Sequence, residues 1–569
     1  MIIFAAIMRR ILSISIVLFS FLNGFAQANY PKDYFRSPLE VPLILSGTFG
    51  ELRTNHFHGG LDIKTQQREG LNVVGIADGY VSRIKIQHWG YGKALYVTHP
   101  NGYTSVYGHL KKFAPEIEMY VKKHQYAKES YTLELFPKAN ELKVEKGKLI
   151  AYSGNSGSSG GPHVHFEIRD GKSNPINPMF FGIDIPDSQN PLIRAGVVYS
   201  FGDSTHVDGT NDIKELIIKN KNGNLVANPI EAYGKIGIGV NAVDKLDGAL
   251  NNNGIFNLQM TVNGKKVYEH EVNTFSFAET RYINTLVDYE RYYQKRQKIQ
   301  KCFVEPSNKL SIYRALENNG YINIEDGLSY NIEVIAKDFK GNITKLIIPI
   351  KGKKADKIVK KAIEKTPHFF RAYEFNKLNK ENVSVAFPKN SFYKDIYFDF
   401  DYDGKIVKLH NGGIPLHRNF TLTFDISDYP AKDKKQVIIA SINKKGRLSY
   451  ASTKRKDNKL YTLSRSLGNY TLAIDSIAPK ISPTNFKDKQ WLSKYRYLKL
   501  KITDNLSGIK SYRGEINGKW VLFEYEPKKN MLTYDFNDGK LEGNKHKLKL
   551  TVVDNVNNTN VYIATFNTK

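Results

Sequence analysis

The sequence predicts a mainly β protein: an antiparallel β domain on the N-terminal side, followed by about three β-sandwich, Ig-like modules. Three observations carry that expectation. Short runs rich in Val, Ile, Tyr and Thr, "GYVSRIKI" (79–86), "KALYVTHP" (93–100) and "YTSVYGHL" (103–110), are separated by "WGYG" and by the Asn101-Gly102 turn. At 569 residues the chain is too long for one core, since roughly 150 residues make a domain. Finally, "DKLDGALNNNGIFNLQMTVNGKKV" from Asp244 is echoed by "DNLSGIKSYRGEINGKWV" from Asp504. Each is followed by a strand ending in Asp and Asn, "VIAKDFKGN" (334–342) and "TVVDNVNN" (551–558). Two copies of one β-sandwich explain the repeat.

Taken in order, residues 1–28 read as an export signal. Arg9 and Arg10 precede an apolar run whose core, Ile11 to Leu22, is too short to span a bilayer, and Ala26 and Ala28 supply small residues for cleavage. No later stretch is long and apolar enough to span, and no cysteine follows the signal, so an exported protein without a lipid anchor or transmembrane segment is expected. Residues 29–190 form the first domain. In it, 113–144 suggests a short helix and an extended arm, and the Gly/Ser-rich "SGNSGSSGGP" joins the strands "KGKLIAYSG" and "HVHFEIRD". Residues 191–352 are the first β-sandwich, with a helical insertion near 286–303. Residues 353–476 are a further β-rich module, and 477–569 the C-terminal sandwich, with "DSIAPKISP" at the boundary.

Cys302 is the only cysteine, so a disulfide framework and a thiolate metal site are excluded, and any metal must be held by histidine and carboxylate. The net charge of +27 suits a polyanionic neighbour, here a cell wall or acidic membrane face rather than nucleic acid.

Eight of the fourteen histidines lie between residues 56 and 165, which places histidine chemistry in the first domain. In "HVHFEI" strand alternation puts His163, His165 and Glu167 on one face and Val164, Phe166 and Ile168 on the other. In "HFHGGLD" the glycines let the backbone turn between His58 and Asp62. Together with one imidazole of the "HVH" strand these make three N/O ligands without sulfur, the composition of a catalytic zinc site with a fourth position for water.

"His58-Gly-Gly-Leu-Asp62", "YGHL", the Gly/Ser loop and "His163-Val-His165" in this order resemble the lysostaphin-type (LytM-like) zinc metalloendopeptidases of peptidoglycan, over roughly residues 40–180. The resemblance implies Zn²⁺ bound by His58, Asp62 and His165, with His109 and His163 as the non-ligand catalytic pair. It also implies a peptidoglycan substrate and cleavage of its peptide cross-links. The export signal followed by a wall-active domain and β modules favours the D,D type and a location in the periplasm or envelope, with a glycine bridge or a non-wall peptide as the other substrates. The β modules would localise the enzyme, regulate access or bind an envelope protein. Two alternatives compete: a catalytically silent LytM-like regulator of other wall hydrolases, and an adhesion scaffold built on the sandwich repeats. His88, His99 and His124 are expected to be structural, His56 to be a non-ligand, and Arg53 and Asn55 to line the groove or serve the loop. "DFDYDG" (399–404) copies half a calcium loop, but position twelve is His410 instead of glutamate.

Overall fold

A computed structural model describes residues 29–221, 223–362 and 365–569; the export signal expected at 1–28 lies outside the described residues. The first domain is built on an antiparallel sheet. Its strands are β1 (Leu45–Gly47), β2 (Leu61–Lys64), β3 (Gly79–Ile86), β4 (Lys93–Thr98), β5 (Thr104–Gly108), β6 (Leu133–Leu135) and β7 (His163–Arg169). They lie in the order β1-β2-β7-β5-β4-β3-β6. β3 and β4 are joined through Gly90 and Gly92, both at positive φ, and β4 and β5 through Asn101-Gly102, where Gly102 has φ 84°. Only glycine takes such backbone without strain, which is why these dipeptides punctuate the strands.

Helix α1 (Pro115–Lys128) starts where the sequence signals it. Proline occupies its first turn, Glu116 and Glu118 complement the N-terminal dipole, and Glu129 closes it in the left-handed region. It buries Ile117 and Val121. The segment after it differs from the extended arm expected. Leu133–Leu135 pairs with one end of β3 and Lys143–Val144 with the other, so the arm is edge strand. Leu133 and Leu135 point inward and Glu134 outward, a pattern too short to stand out in a sequence.

Beyond the first domain, residues 192–360 bond into one fourteen-stranded sheet whose spine is the pair Leu192–Val207 and Ile230–Val243. Two short helices, Ile283–Leu286 and Tyr289–Lys295, interrupt it. Residues 376–474 contribute two five-stranded sheets around Phe387, Phe398 and Phe420, and residues 480–567 a four- and a five-stranded sheet around Leu500, Leu532 and Leu550. Among the described residues no helix is long and apolar enough to cross a membrane.

Two seams fix the first domain. Its core of Leu61, Ile63, Val164, Phe166 and Ile168 is continuous with Val272, Phe275, Leu286 and Ile312, from the loops and short helix that the following sheet carries. Phe275 packs at a tilt against Phe49 and Phe57, and burying such a ring contributes roughly 1.5–3 kcal/mol. The C-terminal module returns to the other side: buried Lys93 pairs with Glu524 at 2.8 Å, Tyr126 Oη donates to Asp538 at 2.8 Å, and Arg513 meets Glu129 at 2.6 Å.

Candidate functional site

β7 lies between β2 and β5, and register brings the three motifs together. His165 stands directly opposite Asp62 on one neighbour and opposite Gly108 on the other, with His109 the next residue. Val164, Phe166 and Ile168 are fully buried on the reverse face, as alternation requires. His58 precedes β2. The glycines after it serve less as a turn than as a close approach: a Cβ on Gly60 would sit 2.3 Å from the Phe166 carbonyl oxygen. That contact draws His58 over the sheet.

His58 Nε2 is 3.0 Å from Asp62 Oδ1 and 3.0 Å from His165 Nδ1, and His165 Nδ1 is 2.9 Å from Asp62 Oδ1. All three side chains are buried. The tautomers follow from the outer partners. His58 Nδ1–H donates to the Thr48 carbonyl at 2.7 Å, and His165 Nε2–H donates to Glu167 Oε1 at 2.7 Å. Each ring therefore turns its other nitrogen, His58 Nε2 and His165 Nδ1, toward Asp62 Oδ1, where a metal would meet a lone pair once any proton there has left. Two imidazole nitrogens and a carboxylate oxygen about 3 Å apart fit one small divalent ion, since ligands in a tetrahedral zinc shell are roughly 3.3 Å apart.

Glu167 holds this geometry. It is fully buried and also accepts from Tyr91 Oη and, at 2.6 Å, from Arg169 Nε. Tyr91 stacks on the His165 ring at 4.8 Å. Burial works against the charge on Glu167, but Arg169 and His165 outweigh it and hold the carboxyl at about 2. Burial likewise opposes charge on His165, yet Asp62 and Glu167 raise it to about 9. Asp62 is held well below the usual carboxylate range despite burial, by His58, His163 and His165. Its outer oxygen takes Arg53 Nη2 at 3.0 Å, and that guanidinium also meets Glu51.

His109 and His163 pack against each other beside the three ligand atoms, their ring centroids 4.7 Å apart. His109 Nδ1–H donates to the Ser156 carbonyl at 2.8 Å, and His163 Nδ1 lies 2.9 Å from the Gly161 carbonyl. Both rings thus present Nε2, that of His163 standing 3.5 Å from Asp62 Oδ1. Burial first, then the neighbouring His165 and His163, lowers His109 to about 3, so it is neutral. His109 has φ 60°, a left-handed backbone that costs a non-glycine residue on the order of 1 kcal/mol and turns its ring toward the site.

The other sequence candidates lie elsewhere. His56 is exposed and bonds the Thr54 carbonyl, Asn55 Oδ1 accepts from Asn284 of the short helix Ile283–Leu286, His88 stacks on Tyr131, His99 bridges the Asp78 carbonyl and Ser105, and His124 bonds the Tyr120 carbonyl within α1. In "DFDYDG", Asp401 pairs with Lys380 and Asp403 caps the turn at Lys405 and Ile406. Sequence reasoning placed Glu167 on the histidine face without giving it a role, and missed Arg169 and Tyr91. The first two lay in view, at successive alternate positions after His165; the third comes from the "WGYG" loop.

Comparison with known proteins agrees with this geometry. The family model "Peptidase family M23" matches residues 56–130 and 131–178, and a "Zu5-like domain" model matches 367–475. The "DD-carboxypeptidase/endopeptidase Mpg" of Neisseria meningitidis is 29% identical over 136 residues, 24% of this chain and 25% of that protein. An "uncharacterized metalloprotease" of Haemophilus influenzae is 31% identical over 171 residues, 29% of this chain and 30% of that protein. The match thus spans about a quarter to a third of these relatives' length. Among solved structures, the catalytic domain of the M23 protein EnpA from Enterococcus faecalis is 23% identical, covering 27% of this chain and 98% of that one, with a TM-score of 0.20. The lysostaphin catalytic domain from Staphylococcus simulans is 20% identical, covering 24% and 91%, with a TM-score of 0.19. The motif histidines and aspartate gathered on one sheet thus lie within the stretch of this chain, residues 56–178, that matches the model of peptidase family M23.

Proposed function

We propose that this chain is an exported zinc metalloendopeptidase that hydrolyses peptide cross-links of bacterial peptidoglycan, of the D,D type, in the cell envelope. The observation that carries the reading is the triangle of His58 Nε2, Asp62 Oδ1 and His165 Nδ1, buried and tautomerically fixed, with two further Nε2 atoms facing it. The M23 match and the relative named as a DD-carboxypeptidase/endopeptidase support the substrate class.

His58, Asp62 and His165 would hold Zn²⁺, which when bound supplies a water acidic near neutral pH and a Lewis acid for the scissile carbonyl. His109, kept neutral by burial, accepts the proton of the attacking water through Nε2 and returns it to the leaving amine. His163, whose Nε2 stands 3.5 Å from Asp62 Oδ1, donates from that nitrogen to the oxygen that gains negative charge when both ring nitrogens carry a proton. Arg53 and Glu167 keep the Asp62 and His165 donors aimed inward. The cationic surface holds an anionic polymer, and the β modules position the domain on it. Every ligand position is filled, so the silent regulator has no support in the site.

The test is digestion of purified muropeptide dimers with zinc-loaded protein, read by product mass. Conversion of D-alanyl-to-diamino-acid dimers to monomers supports the proposal; cleavage only of glycine bridges would overturn the bond assignment, and no cleavage of either would overturn the substrate class.

A further inference from the structure

The repeat that begins at Asp244 and Asp504 is longer than its strands, and the structure shows what it preserves. Three aspartates gather at one end of each copy: Asp187, Asp244 and Asp338 in the first, Asp475, Asp504 and Asp554 in the second. In each trio carboxylate oxygens lie within 4.8 Å of one another. The sequence around all three members recurs: Asp187-Ser-x-x-Pro-x-Ile matches Asp475-Ser-x-x-Pro-x-Ile, Asp244-x-Leu-x-Gly matches Asp504-x-Leu-x-Gly, and Asp338-x-x-x-Asn matches Asp554-x-x-x-Asn.

The scaffolding recurs too. Asp338 Oδ1 accepts from the Gly341 and Asn342 amides and its Oδ2 from Asn342 Nδ2 at 2.7 Å. Asp554 Oδ1 accepts from the Val556 and Asn558 amides and its Oδ2 from Asn558 Nδ2 at 2.8 Å. The same asparagine then reaches the carbonyl of the first aspartate, at 3.4 Å for Asp187 and 2.9 Å for Asp475.

What these acids lack is a positive partner. Asp244 is 3% exposed and Asp475 fully buried, yet Oδ1 of each has no hydrogen-bond donor, and neither does Asp504 Oδ1. Among the described residues no lysine or arginine pairs with any of the six. A buried carboxylate without donor or counter-charge is costly, and three together are worse. In the absence of a cation, burial and the neighbouring carboxylates push Asp244 up to about 8 and Asp187 up to about 6.

We propose that each trio is a calcium site, so that the chain binds two Ca²⁺ ions, one where the peptidase domain leads into the first β module and one where the middle segment leads into the last. All-oxygen, carboxylate-rich ligand sets select hard divalent cations. Ca²⁺ suits them better than Mg²⁺, which keeps its waters and demands small octahedral geometry. Each ion ties a connecting segment, through Asp187 or Asp475, to two loops of the module it enters. The second ion thereby sets the placement of the module whose Glu524, Asp538 and Lys528 grip the peptidase domain and its Gly/Ser loop. This inference is independent of the zinc reading, because no nitrogen ligand takes part.

The test uses full-length protein freed of metal by chelation and reloaded with zinc, titrated with CaCl₂ in equilibrium dialysis and scanned for thermal unfolding. Two Ca²⁺ per chain are expected, falling to one in Asp244→Asn, one in Asp504→Asn and none in the double variant. Unfolding gives a sign that a merely structural aspartate would not. Without calcium Asp244→Asn relieves repulsion and melts above wild type; in saturating calcium the order reverses. No calcium bound at 10 mM, stoichiometry unchanged by both variants, or tighter binding of Mg²⁺ than of Ca²⁺ would each overturn the proposal.

Discussion

Glu167→Gln isolates the group that aims His165. The side chain is fully buried and accepts from His165 Nε2 at 2.7 Å, from Arg169 Nε at 2.6 Å and from Tyr91 Oη. Glutamine preserves the shape but removes the charge. Two effects on zinc affinity then oppose each other. Loss of the orienting carboxylate weakens binding about 10–100-fold, as for other outer partners of metal-bound histidine. Against this, metal-free His165 sits at about 9, above its ordinary 6.5, and zinc must displace that proton. At pH 7 the competition costs wild type about 100-fold, tenfold per unit below 9, and the variant loses most of it because one of the two carboxylates raising His165 is gone. The deficit should therefore be small at pH 7 and reach about 10–100-fold at pH 9, where the proton is leaving in both proteins. The same proton makes a stability contribution that is full below pH 6.5 and lost as pH rises through 9, so chelated wild type should weaken over that window. Chelator-buffered zinc titration at the two pH values is the assay, with Tyr91→Phe as a control that keeps the charge. A deficit below threefold at pH 9, or one that shrinks as pH rises, would refute the assignment of Glu167.

Three further outcomes are expected. His109→Ala should keep its zinc but lose about 10²–10⁴-fold in kcat, checked by metal content and dimer turnover on one preparation. Gly60→Ala should destabilise the protein by on the order of 2–3 kcal/mol, because its Cβ meets the Phe166 carbonyl at 2.3 Å and β2 must move; an unchanged melting temperature would contradict that contact. Glu524→Ala leaves Lys93, 6% exposed, with only the Lys111 carbonyl as acceptor; about 1–3 kcal/mol should be lost, less than for a fully buried pair because Glu524 is itself 41% exposed, and proteolysis at the last module should accelerate.

What could be read from the sequence was whatever rests on local periodicity. Alternation in β7 separates His163 and His165 from Val164, Phe166 and Ile168, and the turn glycines mark β3, β4 and β5. Proline and two acids announce α1. What could not be read depends on register and on contacts far apart in the chain. Nothing local says that Asp62 stands opposite His165, that Arg53 reaches back to Asp62, or that Tyr91 closes over Glu167. Leu133–Leu135 is too short to show a period, and nothing local says that Phe275 completes the core of another domain. The repeat was visible from Asp244 and Asp504, but Asp187 and Asp475 sit ahead of it in connecting segments, and only the fold brings them to the other four.

The central claim, that the triangle of His58, Asp62 and His165 is a zinc centre that cuts wall peptides, is tested most directly by measuring zinc content and dimer cleavage together in wild type and His165→Ala. The account predicts about one zinc per chain and conversion of cross-linked dimers to monomers for wild type, with both lost in the variant. Dimer cleavage that persists in the zinc-free variant, or a wild-type protein that takes up no zinc, would contradict it.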